Sequence, residues 1–269
     1  MTKQSLKGAA IAVLLATDPT AKANAVDAAI LALNAGADAF GDDAGCVPET
    51  PGRPAQPVLV DPTKTPRRRL GGVEGRAALM HAIAHIEFNA INLAFDMAAR
   101  FVHEIDALGL NRAQFMEDWF SVGDDEARHF GMIADRLREM DCEYGDFSAH
   151  NGLWDAASAT AGNLLARLVV APLILEARGL DVTPGLIERL KSNGDHQSAD
   201  ILAIIVDEEV AHVACGKRWF DEVCQAKGLQ PLETFKNLER EYFKGQQKPP
   251  FNHIARKKAG LDSDFYERK

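Results

Sequence analysis

Trp119-Phe120-Ser121-Val122-Gly123-Asp124-Asp125-Glu126-Ala127-Arg128-His129-Phe130 is a helix by its apolar spacing. It also carries a glutamate and a histidine three residues apart. Trp119, Val122 and Phe130, with Ile133 and Leu137 beyond them, recur at helical intervals along the run from Arg112 to Met140, and Glu126 and His129 fall on the same stripe. Side chains three residues apart lie about 60° apart around a helix, so both can reach one ion. A second Glu-x-x-His, Glu209 and His212, lies in the run from Asp200 to Gln225, where Ile201, Ile205, Val213 and Phe220 mark the buried side. A buried carboxylate costs several kcal/mol or takes up a proton unless something compensates it. Taken alone, either pair is better explained by a Glu–His hydrogen bond within its helix, or by side chains reaching water at the helix edge.

Two further helices change that balance. From Val73 to Ala107 one apolar face runs through Met80, Ile83, Ala84, Ala90, Ile91, Ala94, Ala98, Phe101 and Ile105, with Glu87 in its middle. From Ala156 to Leu180, the residues Leu165, Val169, Leu173 and Leu180 surround Glu176 in the same way. The chain order is therefore Glu87, Glu126-x-x-His129, Glu176, Glu209-x-x-His212. One glutamate from each of two helices and Glu-x-x-His from each of the other two is the ligand pattern of ferritin-like di-iron and di-manganese bundles. Four carboxylates balance two divalent ions when the imidazoles are neutral, whereas the same site without metal repels itself. Oxygen and nitrogen donors without thiolate suit iron or manganese better than zinc or copper, and do not separate those two.

At these residues the chain resembles a known family. Asp125-Glu126-Ala127-Arg128-His129 is similar to the Asp-Glu-x-Arg-His motif of bacterial di-iron monooxygenases. Glu74-Gly75-Arg76 through His85-Ile86-Glu87, and Leu175-Glu176-Ala177-Arg178-Gly179-Leu180-Asp181-Val182-Thr183-Pro184, resemble the ferritin-like family catalogued as domain of unknown function 455, from about residue 50 to the end. The resemblance implies a di-metal bundle akin to a tRNA-modifying di-iron hydroxylase, to ribonucleotide reductase small subunits and to rubrerythrins. It implies Glu87 and Glu176 as terminal ligands, Glu126 and Glu209 as bridging ligands, and His129 and His212 as one imidazole per metal. By the same resemblance Asp125 orients the histidine of the opposite pair. Glu208 holds the matching place on the other side, a departure if the relatives carry aspartate. Arg128 either ties this outer layer together or is a surface arginine.

With 269 residues, 46% hydrophobic and 26% charged, the chain can bury one sizeable core. The expected organisation is one domain: a helical extension over 1–48, a Pro-rich crossing segment over 49–72, the bundle over 73–230 and a basic tail packed on the bundle over 231–269. The runs Leu6–Leu15 and Thr20–Asn34 read as a hairpin, the second helix opened by Thr17-Asp18-Pro19 and closed by Gly36. Six prolines between residues 45 and 72 predict an extended segment there. Pro172 should distort the helix that carries Glu176. No apolar run reaches the ~18 residues of a membrane span, and Ala9–Ala16 lacks a convincing cleavage site, so a cytoplasmic protein is expected. Cys46, Cys142, Cys215 and Cys224 form no Cys-x-x-Cys pair, which argues against a disulfide scaffold. Cys215 reads as a small buried hydrophobe rather than a ligand. His81 and His85 lie about 120° and 160° around the helix from Glu87, away from its metals, and are expected at a surface or interface.

Residues 236–269 carry a net charge of +4 against −9 for the whole chain. With Arg67-Arg68-Arg69 and the tail aromatics, that charge could hold RNA. A solvated strap across an acidic body is the favoured reading, because no nucleic-acid motif accompanies it. The functional expectation is an all-α ferritin-like four-helix bundle with two Fe ions, or Mn, using dioxygen to oxidise or hydroxylate a small-molecule or nucleoside-type substrate. Electrons would come from an external reductase or from the substrate itself, and a homodimer is compatible. The alternatives are a ferroxidase or iron-handling protein, and a bundle in which metal is structural. A radical-storing role is weaker, since Tyr144, Tyr242 and Tyr266 lie outside the four metal-bearing helices.

Overall fold

The computed structural model describes residues 5–41, 45–66 and 69–267. Arg67 and Arg68 of the basic triplet lie outside the described residues. Within them the protein is all-α, with one isolated parallel bridge between Leu59 and Ala149. Its contacts gather into two compact units: Met1–Ala107 with Asn111–Asp155, and Leu108–Leu110 with Ala156–Lys269. No helix among the described residues is long and apolar enough to cross a membrane.

In the first unit, α1 (Leu6–Leu15) and α2 (Pro19–Asn34) form the expected hairpin. Ser5 caps α1 by accepting from Gly8 N at 3.1 Å, and Asp18 caps α2 by accepting from Ala21 N at 2.9 Å, with Pro19 in the first helical position. The long pair α3 (Val73–Ala107) and α4 (Arg112–Glu139) forms the centre of this unit, with α1 packed on α3 and α2 on α4. The sequence predicts one apolar face on α3, but residues 87–99 are buried on every side. The extra cover comes from α1 and from the Pro-rich strap, residues 45–66. The strap is extended apart from a single 3-10 turn at Pro62–Lys64. It is tied down along its length: Arg100 Nη2 donates to Pro48 O at 3.0 Å, Trp154 Nε1 to Glu49 O at 3.1 Å, and Gly52 N to Leu14 O at 2.6 Å. Val60 N donates to Ala149 O at 2.8 Å, and Ala149 N to Val58 O at 3.0 Å. Arg100 can reach the strap because Asp96, fully buried, holds its guanidinium at 2.6 Å.

The chain passes from the first unit to the second within α5 (Gly152–Ala159). The helix expected from Ala156 to Leu180 is not continuous. It stops at Ala159 and restarts as α6 (Leu164–Val170), opens into a π-turn over Ala171–Glu176, and continues as α7 (Ala177–Ser192) well past Leu180. Two local preferences outweigh the periodicity. Asn163 caps α6 by accepting from Ala166 N at 3.0 Å, and the buried Arg167 folds back to donate to Ala157 O at 2.6 Å and Thr160 Oγ1 at 2.8 Å, satisfying the end of α5. The π-turn is the predicted effect of Pro172. Proline has no N–H to give, and its ring would strike the carbonyl four residues back, so the turn widens. Opposite it on α8 (His196–Ala226) stands Gly216, where a Cβ would lie 2.4 Å from Pro172 Cβ. Glycine is what lets the widened turn pack.

The helices α9 (Pro231–Tyr242) and α10 (His253–Lys258) complete the second unit. The reading of the basic tail as a solvated strap fails at Arg256, which is 1% exposed and grips the fully buried Asp181 through Nε at 2.9 Å and Nη2 at 2.7 Å. A guanidinium fork matched to a carboxylate is one of the few charged groups that burial tolerates. Phe265 packs edge-on against Phe235, so this tail aromatic is core rather than a nucleic-acid platform.

Candidate metal centre

In the first unit, Glu87 from α3 and Glu126 and His129 from α4 meet inside the helix pair, 4%, 1% and 0% exposed. The His129 Nδ1 atom lies 3.7 Å from Glu87 Oε2 and 3.6 Å from Glu126 Oε2, and the three ligand atoms lie within 4.8 Å of one another. Such separations are too long for hydrogen bonds. They are about the edge length of a coordination polyhedron whose metal–ligand bonds are roughly 2.0–2.2 Å. Two buried carboxylates beside an imidazole aimed nitrogen-first at both form an electron-rich hollow, and a divalent cation would offset their mutual repulsion. This buried Glu/His cluster could hold a metal ion. Close packing of α3 on α4 supports it. One turn before Glu126, Gly123 leaves room for the Phe95 ring, which a Cβ would approach to 2.4 Å.

The second unit repeats the motif on α8, where His212 Nδ1 stands 3.5 Å from Glu209 Oε2, their side chains 2% and 12% exposed. Glu176 closes the π-turn and is partly buried, on a segment that packs against α8. Asp125 is half-buried and takes a 2.6 Å contact from Arg128, itself 44% exposed. That places Arg128 on the outer side of α4, clamped to the residue beside Glu126. Glu208 is partly buried. Ile201 and Cys215, both expected to be buried, are only partly so.

The expectation of a surface or interface role for His81 and His85 is wrong. Both are buried. His81 Nε2 accepts from Gly145 N at 2.9 Å, while His85 meets the Tyr144 hydroxyl at 2.9 Å through Nδ1 and His150 O at 3.1 Å through Nε2. Burial pushes the His85 pKa down to about 4, so the ring is neutral at pH 7. The cover comes from the loop after α4, some sixty residues away in the chain, and periodicity on α3 carries no trace of it. Gly123 and Gly216, two positions the sequence reading passed over, did have a signal: a glycine one helical turn from each Glu-x-x-His.

A family profile described as "Protein of unknown function (DUF455)" matches residues 15–267. An "Uncharacterized protein" of Haemophilus influenzae (strain ATCC 51907 / DSM 11121 / KW20 / Rd) is 41% identical over 213 residues, which cover 77% of this chain and 72% of that relative. No solved structure matches the chain.

Proposed function

The chain belongs to the DUF455 family, and from that premise we propose that it is a ferritin-like di-iron, or di-manganese, carboxylate oxidoreductase that uses dioxygen to oxidise or hydroxylate its substrate. The observation that carries the reading is the buried convergence of Glu87, Glu126 and His129. By the family resemblance, Glu176, Glu209 and His212 would supply the remaining carboxylates and imidazole. Bound there, two redox-active ions would supply electrons to dioxygen and Lewis acidity to its products. The chain's own contribution is to hold the ligands. Glu87, Glu126, Glu176 and Glu209, with His129 and His212, are the residues that would hold the ions. Presenting Nδ1 leaves Nε2 of each histidine for an outer partner, the role assigned to Asp125 and Glu208, with Arg128 holding Asp125 in place. Helix burial keeps bulk water from the reacting side. Electrons arrive from a separate reductase, and the substrate is a small molecule or nucleoside-type compound.

Elemental analysis of protein purified from iron-replete and manganese-replete cultures tests the reading, repeated on Glu126→Ala and Glu209→Ala. About two ions per chain, lost in both variants, is the expected result. Fewer than one per chain, or variants that retain their metal, would overturn it. Dioxygen uptake by the reduced, iron-loaded protein separates catalysis from a structural metal, and a particle mass of one or two chains separates it from an iron-storage shell.

A further inference from the structure

The Pro-rich strap walls a cavity of about 210 Å3 inside the first unit, on the side of α3 turned away from Glu87. Pro51, Pro54 and Pro57 all line it. Across from them the wall is Phe88 and Asn89, with Trp154 also lining the space. It is smaller than the roughly 300–1,000 Å3 of pockets for drug-sized ligands, which limits an occupant to about one ring.

The polar groups define that occupant further. Arg53 lines the cavity, and its one hydrogen bond among the described residues, to Pro54 O at 3.4 Å, leaves most of its guanidinium available. Behind Phe88 and Asn92 lies Lys22, 0% exposed. Its ammonium donates to Val13 O and to Asn92 Oδ1, both at 2.8 Å, and stands 5.3 Å from the Phe88 ring centroid. These are neutral partners. Buried ammonium groups ordinarily face a carboxylate, so two cations here leave the cavity electropositive. The α3 side also offers acceptors. Asn89 gives its Nδ2 to His85 O at 2.8 Å and so keeps its carbonyl oxygen as an acceptor. His150 O can only accept, so the tautomer in which His85 Nε2 donates to it at 3.1 Å, rather than accepting from Asn89 Nδ2 at 3.2 Å, has Nδ1 accept from the Tyr144 hydroxyl and leaves the Tyr144 oxygen able to accept. The Arg53 guanidinium, the acceptors on Asn89 and Tyr144, and the Phe88 and proline faces all line the one cavity.

We propose that this cavity is a second ligand site, independent of the metal centre, for a single-ring aromatic carboxylate with a hydrogen-bond donor opposite the acid. The carboxylate pairs with Arg53, the ring lies between the strap prolines and Phe88, and the donor reaches Asn89 and Tyr144. Calorimetric titration with 4-hydroxybenzoate tests it, using benzoate to remove the donor and 4-hydroxybenzamide to remove the charge. One saturable site per chain is expected for 4-hydroxybenzoate. Arg53→Gln, and the change to the amide, should each lower affinity by at least about tenfold, the worth of a charged hydrogen bond. Asn89→Leu should abolish the preference over benzoate. Arg53 is exposed, so Arg53→Gln should keep its helical circular dichroism and its metal content. Absence of saturable binding by folded protein overturns the proposal. So does binding that neither Arg53→Gln nor the amide weakens.

Discussion

Lys22 should make the protein gain stability as the solution turns alkaline. Its ammonium is shut inside the first unit with two neutral oxygens and an aromatic face, and burial lowers its pKa from 10.5 to about 8. Below about pH 8 the lysine is charged whether the chain is folded or not, and the folded state bears the whole cost of burying that charge. Between about 8 and 10.5 the unfolded chain holds the proton and the folded one does not, so stability rises with pH. Above 10.5 both forms are neutral and the cost has gone. At about 1.4 kcal/mol per pKa unit, the full span is on the order of 3 kcal/mol. Wild type alone would hide this rise. Burial also pushes the Cys142 and Cys224 thiols up to about 11, so the unfolded state gains from their ionisation as the pH climbs past their usual range. Comparison with Lys22→Met removes those shared contributions. The variant's lost hydrogen bonds add an offset that pH does not change. Urea unfolding followed by circular dichroism from about pH 7.5 to about pH 10 should show wild type improving relative to the variant by about 1.4 kcal/mol per pH unit. A difference that stays flat within about 0.5 kcal/mol would refute the claim that a charge is buried there.

Other parts of the fold give shorter predictions. Arg256→Met takes the fork from the buried Asp181 carboxylate, which keeps Arg178 at 3.5 Å and Asn252 N at 2.9 Å, and should cost about 2–3 kcal/mol in urea unfolding, whereas a cost under about 1 kcal/mol would mean the pair is solvated. Gly216→Ala drives a methyl group into the Pro172 ring and should destabilise by about 1–3 kcal/mol; unchanged thermal unfolding would show that the π-turn does not pack there as described. Asp195 caps α8 by accepting from Ser198 N at 3.1 Å, so Asp195→Ala should cost about 1 kcal/mol, and a neutral result would assign the start of α8 to other contacts.

The parts legible in the sequence are those fixed over short chain distances. A three-residue spacing on a helix brings Glu126 to His129 and Glu209 to His212 whatever surrounds them, and the stripe around Glu87 marks its burial. Pro172 was legible for a covalent reason, since an absent N–H breaks a helix in any context. The break at Thr160–Asn163 was not, because the apolar repeat runs across it, and the choice turns on Arg167 reaching back to Ala157 O and Thr160. The burial of His85, and of Arg256 within the basic tail, escapes the sequence for a related reason. Their partners, Tyr144 and Asp181, lie 59 and 75 residues away in the chain, and a polar side chain gives no local sign that a distant one will satisfy it. The strap was recognised as extended, but the cavity behind it depends on which groups face it.

The π-turn also bears on how this gene can change. A wide turn of this kind is a helix carrying one residue too many, and each residue in a helix advances the direction of everything after it by about 100°. A single-codon deletion between Val170 and Ala177 would swing Glu176 and the start of α7 about a quarter of a turn. A substitution that keeps Pro172 leaves the residue count, and so that direction, unchanged. What a lineage cannot alter there without redirecting Glu176 is the length of the segment.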